Sequence, residues 1–266
     1  MTAVAVVPRL GQGLPLALAG ALVLAAIAYP LTEGADRNAV TWVIVVVGSS
    51  LSVVHAWLSR GRRTALGVLV LVGATAVAVE AVGLATGFPY GRYSYSDALG
   101  PTLLGVPFLV PLAWLMMAWP SWVLADRLTR VRRRPAARIA VAAAVFAGWD
   151  VVLDPQMVQA GYWTWAHPEP GLPGIDTVPL TNLAGWLLAG AVLMALLDLL
   201  VRRTAVPGGP RISDTAPLLA LGWMTLGGAL AHAGWLGLPG SAAWGSALAV
   251  PVLGALVVQR RRAADR

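Results

Sequence analysis

The chain has 266 residues, of which 58% are hydrophobic and 12% are charged, far below the roughly 25% charged residues of soluble domains. Its apolar runs are long enough to cross a bilayer, so the composition predicts a polytopic membrane protein. Cysteine is absent, which excludes disulfides, iron–sulfur ligation and a cysteine nucleophile. All 19 basic residues are arginine, so a lysine Schiff base with retinal or pyridoxal is also excluded.

Apolar segments predict eight transmembrane helices within a single integral membrane domain, 1–266. They lie near 14–31, 39–58, 64–86, 101–124, 137–155, 179–201, 215–237 and 241–259. We therefore predict an all-α fold, a polytopic helical bundle of about eight spans. Pro107 and Pro111 fall inside the predicted fourth helix, where they would kink it and open room in the bundle.

The arginines are divided unevenly between the two sets of connections. One set holds only Arg37 and Arg92. The other holds Arg9, Arg60, Arg62, Arg63, Arg127, Arg130, Arg132, Arg133, Arg134, Arg138, Arg202, Arg203, Arg211, Arg260, Arg261, Arg262 and Arg266. By the positive-inside rule, both termini are predicted to be cytoplasmic, in a multi-pass protein of the plasma membrane. This topology explains the net charge of +7 better than nucleic acid binding does, so no nucleic-acid partner is expected.

Three carboxylic acids fall inside the predicted spans. Asp150 and Asp154 are one helical turn apart on one face, about 18 and 24 Å from the cytoplasmic start of their helix. Glu80 lies about 24 Å along a helix that runs the same way. An ionisable group in hydrocarbon costs about 2.5 to 3.5 kcal/mol on insertion scales, so it usually faces a partner, a cavity or a substrate. We predict that the three acids meet at one level in the outer half of the bundle.

Aromatic and polar residues accompany these acids in the outer connections. The segment 87–97 holds several tyrosines beside Arg92, which can compensate nearby carboxylates, although an aromatic interface belt is the alternative interpretation. Asn182 lies in the first turn of the sixth helix and either caps a neighbour or binds a polar substrate group. The predicted substrate-binding residues are Tyr90, Arg92, Tyr93, Trp149, Tyr162, Trp163, Asn182 and His232.

Polar residues at the inner side of the bundle are interpreted as structural. His55, near the cytoplasmic end of the second helix, is expected to bond to a neighbouring helix. The aspartates that lie among the inner arginines are expected to form solvated ion pairs. They are Asp126, Asp198, Asp214 and Asp265.

Distinctive short motifs cluster between residues 75 and 190. They are Glu80–Tyr95 (EAVGLATGFPYGRYSY), Leu99–Pro101 (LGP), Gly105–Pro107 (GVP), Trp149–Pro155 (WDVVLDP), Gly161–Trp165 (GYWTW) and Val178–Asn182 (VPLTN). Together they resemble the carotenoid biosynthesis membrane proteins, which include the carotenoid 1,2-hydratases of bacteria and haloarchaea. The resemblance implies hydration of the terminal double bond of an acyclic carotenoid ψ-end, without a redox cofactor. It also implies a carotenoid as substrate, the bilayer as its source and other enzymes of the carotenoid pathway as partners.

The acids and aromatic residues of the chain also fit this chemistry, independently of the resemblance. Hydration of a trisubstituted alkene needs an acid that protonates C2, protection of the tertiary cation at C1 and one positioned water, with no metal. Asp150 is the predicted acid, since it lies deeper than Asp154 and Pro155 is expected to end the helix beside it. Asp154 and Glu80 would position the water. Aromatic faces at Trp149, Trp163, Tyr90 and Tyr93 would stabilise the cation by about 0.5 to 2 kcal/mol each.

Two other classes of function also use acids inside a membrane. The pair Asp150 and Asp154 matches part of the acidic signature of intramembrane prenyltransferases, in which carboxylates hold magnesium and a diphosphate. That assignment is opposed by the predicted outer position of the pair and by the few bases there to hold phosphate. Buried acids also form proton relays in coupled carriers, but the chain has no obvious inverted repeat.

Overall fold

The computed structural model describes residues 10–129, 134–205 and 212–264. The helices are α1 (Leu10–Ala28), α2 (Gly34–Arg60), α3 (Arg62–Thr86), α4 (Leu109–Thr129), α5 (Pro135–Gln159), α6 (Leu180–Thr204), α7 (Thr215–Gly222), α8 (Gly228–Gly234) and α9 (Pro239–Ala264). The strands are β1 (Tyr93–Tyr95), β2 (Thr102–Leu103), β3 (Val106–Pro107) and β4 (Trp163–Trp165). The predicted residues Arg9, Arg130, Arg132, Arg133, Arg211, Asp265 and Arg266 lie outside the described residues.

The helical bundle confirms the predicted all-α membrane fold. A π-helical turn, Trp223–Gly227, joins α7 to α8, so the segment Thr215–Gly234 forms one continuous span. Among the described residues, seven helical segments are long and apolar enough to cross a membrane, and α9 completes the eight predicted helices. The cytoplasmic orientation of both termini stays a prediction.

The fourth helix begins later than predicted. Residues 101–108 instead hold a short antiparallel hairpin, in which Thr102 pairs with Pro107 and Leu103 with Val106. Leu104 and Gly105 turn the chain with φ of 54° and 79°, which a helix does not accommodate. Pro111 lies in the first turn of α4, where no backbone N–H donor is lost to the helix, so the predicted kink at these prolines is wrong.

The fifth helix continues past Pro155 to Gln159, so the expectation that Pro155 ends it is also wrong. A proline inside a helix removes one hydrogen bond and strains the preceding turn, but packing on both sides can hold the helix together. Here α5 is buried on the faces that meet α4 and α6. The extra turn includes Gln156, whose side chain reaches the candidate active site.

An aromatic cluster at the centre of the bundle fixes α4, α5 and α6 against one another. Trp114, Phe146, Trp149 and Trp186 lie with their ring centroids 5.0 to 6.3 Å apart. All four are at most 6% exposed. Rigid aromatic packing of this kind holds the polar residues on α5 and α6 at fixed separations.

The connections that precede α4 and α6 lie at the same end of the bundle and pair with each other. Strands β1 and β4 form an antiparallel ribbon in which Tyr93 faces Trp165 and Tyr95 faces Trp163. Alternate residues of a strand point to opposite faces, so all four aromatic rings lie on one face of this ribbon. The face covers the ends of α3 and α5, and we call the ribbon the aromatic lid.

One of the aspartates at the opposite end of the bundle forms buried rather than solvated ion pairs. Asp198 is 0% exposed, with Arg138 Nε at 2.5 Å and Arg202 Nε at 3.1 Å, so the expectation of a solvated pair is wrong for this residue. Two arginines and the indole of Trp122 offset its desolvation. The expectation for His55 is confirmed, because its Nδ1 accepts a hydrogen bond from Trp119 Nε1 on α4 at 3.0 Å.

Candidate active site

Asp150 and Asp154 form a buried carboxyl pair on α5. They are 1% and 3% exposed, as the one-turn spacing predicts for a single inward face. Asn182, in the first turn of α6, donates from its one amide nitrogen to Asp150 Oδ2 at 2.9 Å and also to Asp154 Oδ2. Asn182 therefore bonds to both carboxyl groups, in addition to any contact with a substrate.

Glu80 approaches from α3 and is held by two tyrosines of the aromatic lid. The hydroxyls of Tyr93 and Tyr95 both donate to Glu80 Oε2, at 2.5 and 2.9 Å. Burial raises the pKa of both phenols well above their usual range, and the neighbouring Glu80 charge raises each pKa further. The two phenols therefore stay protonated donors, and because both bond to Oε2, the other oxygen of Glu80 is left for a water or a proton.

The aromatic lid also reaches the aspartate pair, so it connects the two halves of the site. Trp163 Nε1 donates to Asp154 Oδ1 at 3.1 Å. Its ring meets the ring of Tyr95 edge to face, with centroids 5.7 Å apart. One cross-strand pair of the ribbon thus supplies a donor to Asp154 and a donor to Glu80, which fixes the two acids relative to each other.

A cleft of about 830 Å³, a volume that includes the open space at its mouth, lies between Glu80 and Asp154. It brings together seven of the predicted site residues, namely Glu80, Tyr90, Tyr93, Trp149, Asp154, Trp163 and Asn182. Most of the remaining wall is apolar, and includes Ile44, Leu109 and Leu153. The site is therefore an apolar chamber with its carboxyl groups gathered under the aromatic lid.

Four predicted residues lie outside this chamber. Asp150 faces a smaller cavity on the other side of Asn182, between α5 and the segment before α6. Arg92 is exposed, because strand alternation turns it away from the buried side on which Tyr93 lies. Tyr162 is buried but donates to Asn38 Oδ1 at 2.7 Å, which ties the lid to α2. His232 also lies behind the chamber wall, where it forms a hydrogen bond to a neighbour that lines the chamber.

That neighbour is Gln156, a polar residue of the wall that the sequence analysis did not identify. His232 Nε2 bonds to Gln156 Oε1 at 2.9 Å, and His232 Nδ1 bonds to the Ser241 hydroxyl. If the amide oxygen accepts, Nε2 carries the proton and Nδ1 accepts from Ser241. His232 therefore orients Gln156.

The sequence analysis missed three further residues of the chamber. Tyr95 could have been found from its period of two with Tyr93, which places both rings on one face of a strand. Trp114 and Trp186 had no local signal, since a tryptophan in a membrane helix is more often packing than a site. They line the chamber because their helices converge on Trp149.

The described contacts of the carboxyl groups come from neutral donors. An amide and an indole bond to the aspartates, and two phenols bond to Glu80. Within residues 10–129, 134–205 and 212–264, no three His, Asp or Glu side chains converge as a metal-binding group. Each of these described donors is therefore uncharged.

We expect Gly185→Ala to destabilise the protein by about 1 to 3 kcal/mol, the usual cost of overpacking. A Cβ at this position of α6 would lie 2.6 Å from Tyr90 Cδ1 and 2.8 Å from the Pro89 carbonyl oxygen. The loop that carries Tyr90 would have to move away from the helix. Thermal unfolding in detergent measures the change.

Gly190→Ala is the matched control on the same helix, because its Cβ would come no closer than 3.5 Å to Ala143 and Phe146. Equal unfolding midpoints for the two variants would contradict the close approach of the Tyr90 loop to α6.

Comparison with known proteins places the chain in a family. A profile of the family described as carotenoid biosynthesis protein matches residues 17–252. The chain belongs to this family. The chain is also similar to the bisanhydrobacterioruberin hydratase of Haloarcula japonica, with 36% identity over 139 residues. That match covers 52% of this chain and 45% of the relative, so the chain spans less than half the length of the curated relative that it matches. No solved structure matches the chain.

Family membership confirms the resemblance that the motifs carry. The profile extends well beyond the segment 75–190, to helices α1, α2 and α7–α9, whose sequences show little of the likeness by themselves. The protein is therefore a multi-pass membrane protein of carotenoid biosynthesis.

Proposed function

We propose that the protein hydrates the terminal C1–C2 double bond of an acyclic carotenoid ψ-end by acid catalysis, without a cofactor. The observation that carries the proposal is the chamber, which combines an apolar body with a group of carboxyl acids held by neutral donors. An alkene end group fits the apolar wall, and the acids supply what the reaction needs. The relative named as a hydratase supports the same activity.

The aspartate pair would act as the acid. Two carboxylates that share one amide donor repel each other when both are charged, so the pair holds a proton between them. Asp150 Oδ1 receives no hydrogen bond from a donor among the described residues, so it is the oxygen of Asp150 that is free to share that proton with Asp154. Asp154 lines the chamber and would pass the proton to the substrate.

The electrons of the double bond form the new C2–H bond, and positive charge develops at C1. The faces of Trp149, Trp163 and Tyr90 line the chamber and would stabilise this tertiary cation by about 0.5 to 2 kcal/mol each. Apolar walls also keep bulk water and other bases away, which limits loss of the proton before water adds.

Glu80 would hold the attacking water. With Oε2 occupied by two phenols, its other oxygen can accept a hydrogen bond from a water that faces C1. The water oxygen forms the C1–O bond and releases a proton to the Glu80 carboxylate. Glu80 would then return a proton to the deprotonated aspartate pair, which restores the acid for the next turnover. The reaction adds one water and changes no oxidation state overall, so it is redox-neutral.

Expression in a host that makes lycopene or γ-carotene tests this function. We expect new pigments whose masses exceed the substrate by one or two waters, as measured by mass spectrometry. The empty vector and the Asp154→Asn variant are the controls. An unchanged pigment profile with well-expressed protein would contradict the hydratase. Prenylated products would point to a transferase, and pH-dependent ion flux in vesicles would point to a carrier.

A further inference from the structure

A second cavity, of about 950 Å³ including the open space at its mouth, adjoins the chamber. It lies between the end of α1, the C-terminal half of α5 and the segment from the π-helical turn to α8. The two cavities share six lining residues, namely Tyr29, Ile44, Trp149, Leu153, Gln156 and Met224. They are therefore adjacent spaces that meet at these six side chains, and Gln156, held by His232, is one of the polar residues where they meet.

The rim of the second cavity is apolar and faces outward. Ile27 and Leu31 on one side, and Leu230 and Trp235 on the other, are 44% to 67% exposed. In a helix bundle that spans a membrane, apolar side chains at this position meet lipid chains rather than water. The cavity therefore opens sideways, towards the hydrocarbon of the bilayer.

Small residues on the π-helical turn and α8 leave room for the second cavity. Gly227, Gly228 and Ala231 line the cavity along one side of this segment. A Cβ on Gly228 would come within 3.2 Å of Val152 on α5, so even one methyl group crowds the approach of the two helices. A π-helical turn commonly marks a functional position inside a helix, and here it places the small residues against α5.

We propose that this second cavity binds the linear polyene chain of the carotenoid whose end group occupies the chamber. The inference rests on the proposed function. A polyene is rigid and extended, so it cannot fold up inside the chamber and must leave it in one direction. The adjoining second cavity and its lateral apolar opening provide that direction. A chain that passes between the shared lining residues would run from the catalytic acids to the bilayer without meeting water.

Ala231→Phe tests the proposal by filling the second cavity with a ring. Two substrates are compared: a full-length acyclic carotenoid and a truncated isoprenoid that has the same end group but lacks the polyene. We expect conversion of the carotenoid to fall by about tenfold or more, and conversion of the truncated substrate to stay at the wild-type rate. Ala233→Phe is the matched control, because Ala233 is exposed two residues away and does not line the cavity.

Binding is measured separately, as quenching of tryptophan fluorescence by the carotenoid in detergent. Trp149, Trp223 and Trp235 line the second cavity, so a polyene there quenches them. Ala231→Phe should weaken this quenching even if the protein catalyses a different reaction. This keeps a failure of the proposed hydratase distinct from a failure of the chain-binding site.

Wild-type quenching and wild-type carotenoid conversion in Ala231→Phe would overturn the proposal, and so would an equal loss with both substrates. If Ala231→Phe does not accumulate, Ala26→Phe fills the same cavity from α1 and is measured with the same two substrates. A bound membrane lipid in this cavity that a carotenoid does not displace would also overturn it.

Discussion

Asp154→Asn is expected to reduce hydration by about a hundred- to ten-thousandfold, the usual contribution of a general acid. The amide keeps the shape of the side chain and an oxygen that can accept from Trp163, so the variant should fold and bind substrate. It cannot transfer the proton into the chamber that Asp154 lines. Pigment conversion per amount of purified protein measures the loss.

Asp150→Asn is the matched variant, one turn earlier on the same helix and bonded to the same Asn182 nitrogen. The sequence predicts Asp150 as the donor, whereas Asp154 lines the chamber and Asp150 lies behind it, so a substrate in the chamber would meet Asp154 first. We expect a smaller loss for Asp150→Asn than for Asp154→Asn. The reverse order would assign the proton donor to Asp150, and near-wild-type conversion in both would exclude the pair as the acid.

Glu80→Gln is expected to slow hydration by about a hundredfold or more, because an amide cannot accept the proton that the attacking water releases. The phenols of Tyr93 and Tyr95 still have an oxygen to which they can donate, so the lid should stay closed. Formation of the cation should be affected less than its capture by water.

Deuterium exchange separates these two steps. In heavy water, protonation at C2 followed by return of a proton leaves deuterium in the recovered substrate. We expect Glu80→Gln to retain this exchange while hydration falls, and Asp154→Asn to lose both. Tyr95→Phe removes one donor to Oε2 without changing the acid, so its effect should be smaller. Loss of exchange in Glu80→Gln would show that Glu80 acts in the protonation step instead.

Local sequence signals identified the features that depend on residues close together in the sequence. The apolar runs fixed the number and approximate positions of the helices, because a bilayer demands a minimum length of apolar helix. The spacing of Asp150 and Asp154 fixed their common face, since side chains four residues apart on a helix share one face. The helix prediction was wrong about where α4 begins, near Pro107, and where α5 ends, near Pro155, because packing and turn geometry decide helix ends.

The tertiary structure decided which polar groups meet. No local pattern links Tyr95 to Trp163, which are 68 positions apart in the sequence and meet only when two loops pair above the bundle. The same holds for Gln156 and His232, which are joined across two helices. Contacts of this kind depend on how the helices pack around Trp149 and Trp186. The shapes of the side chains decide that packing, and the pattern of hydrophobic residues along the sequence does not reveal it.

The sequence by itself therefore determined the membrane class, the helices, the acids and the motifs that mark the family. Only the tertiary structure decided that Glu80 and Asp154 share a chamber, that Asp150 lies behind it and that Arg92 faces away. The physical reason is that burial cost forces an acid inward wherever it lies on a span, but does not choose its partner. Partners are chosen by loop pairing and helix contacts between residues far apart in the chain.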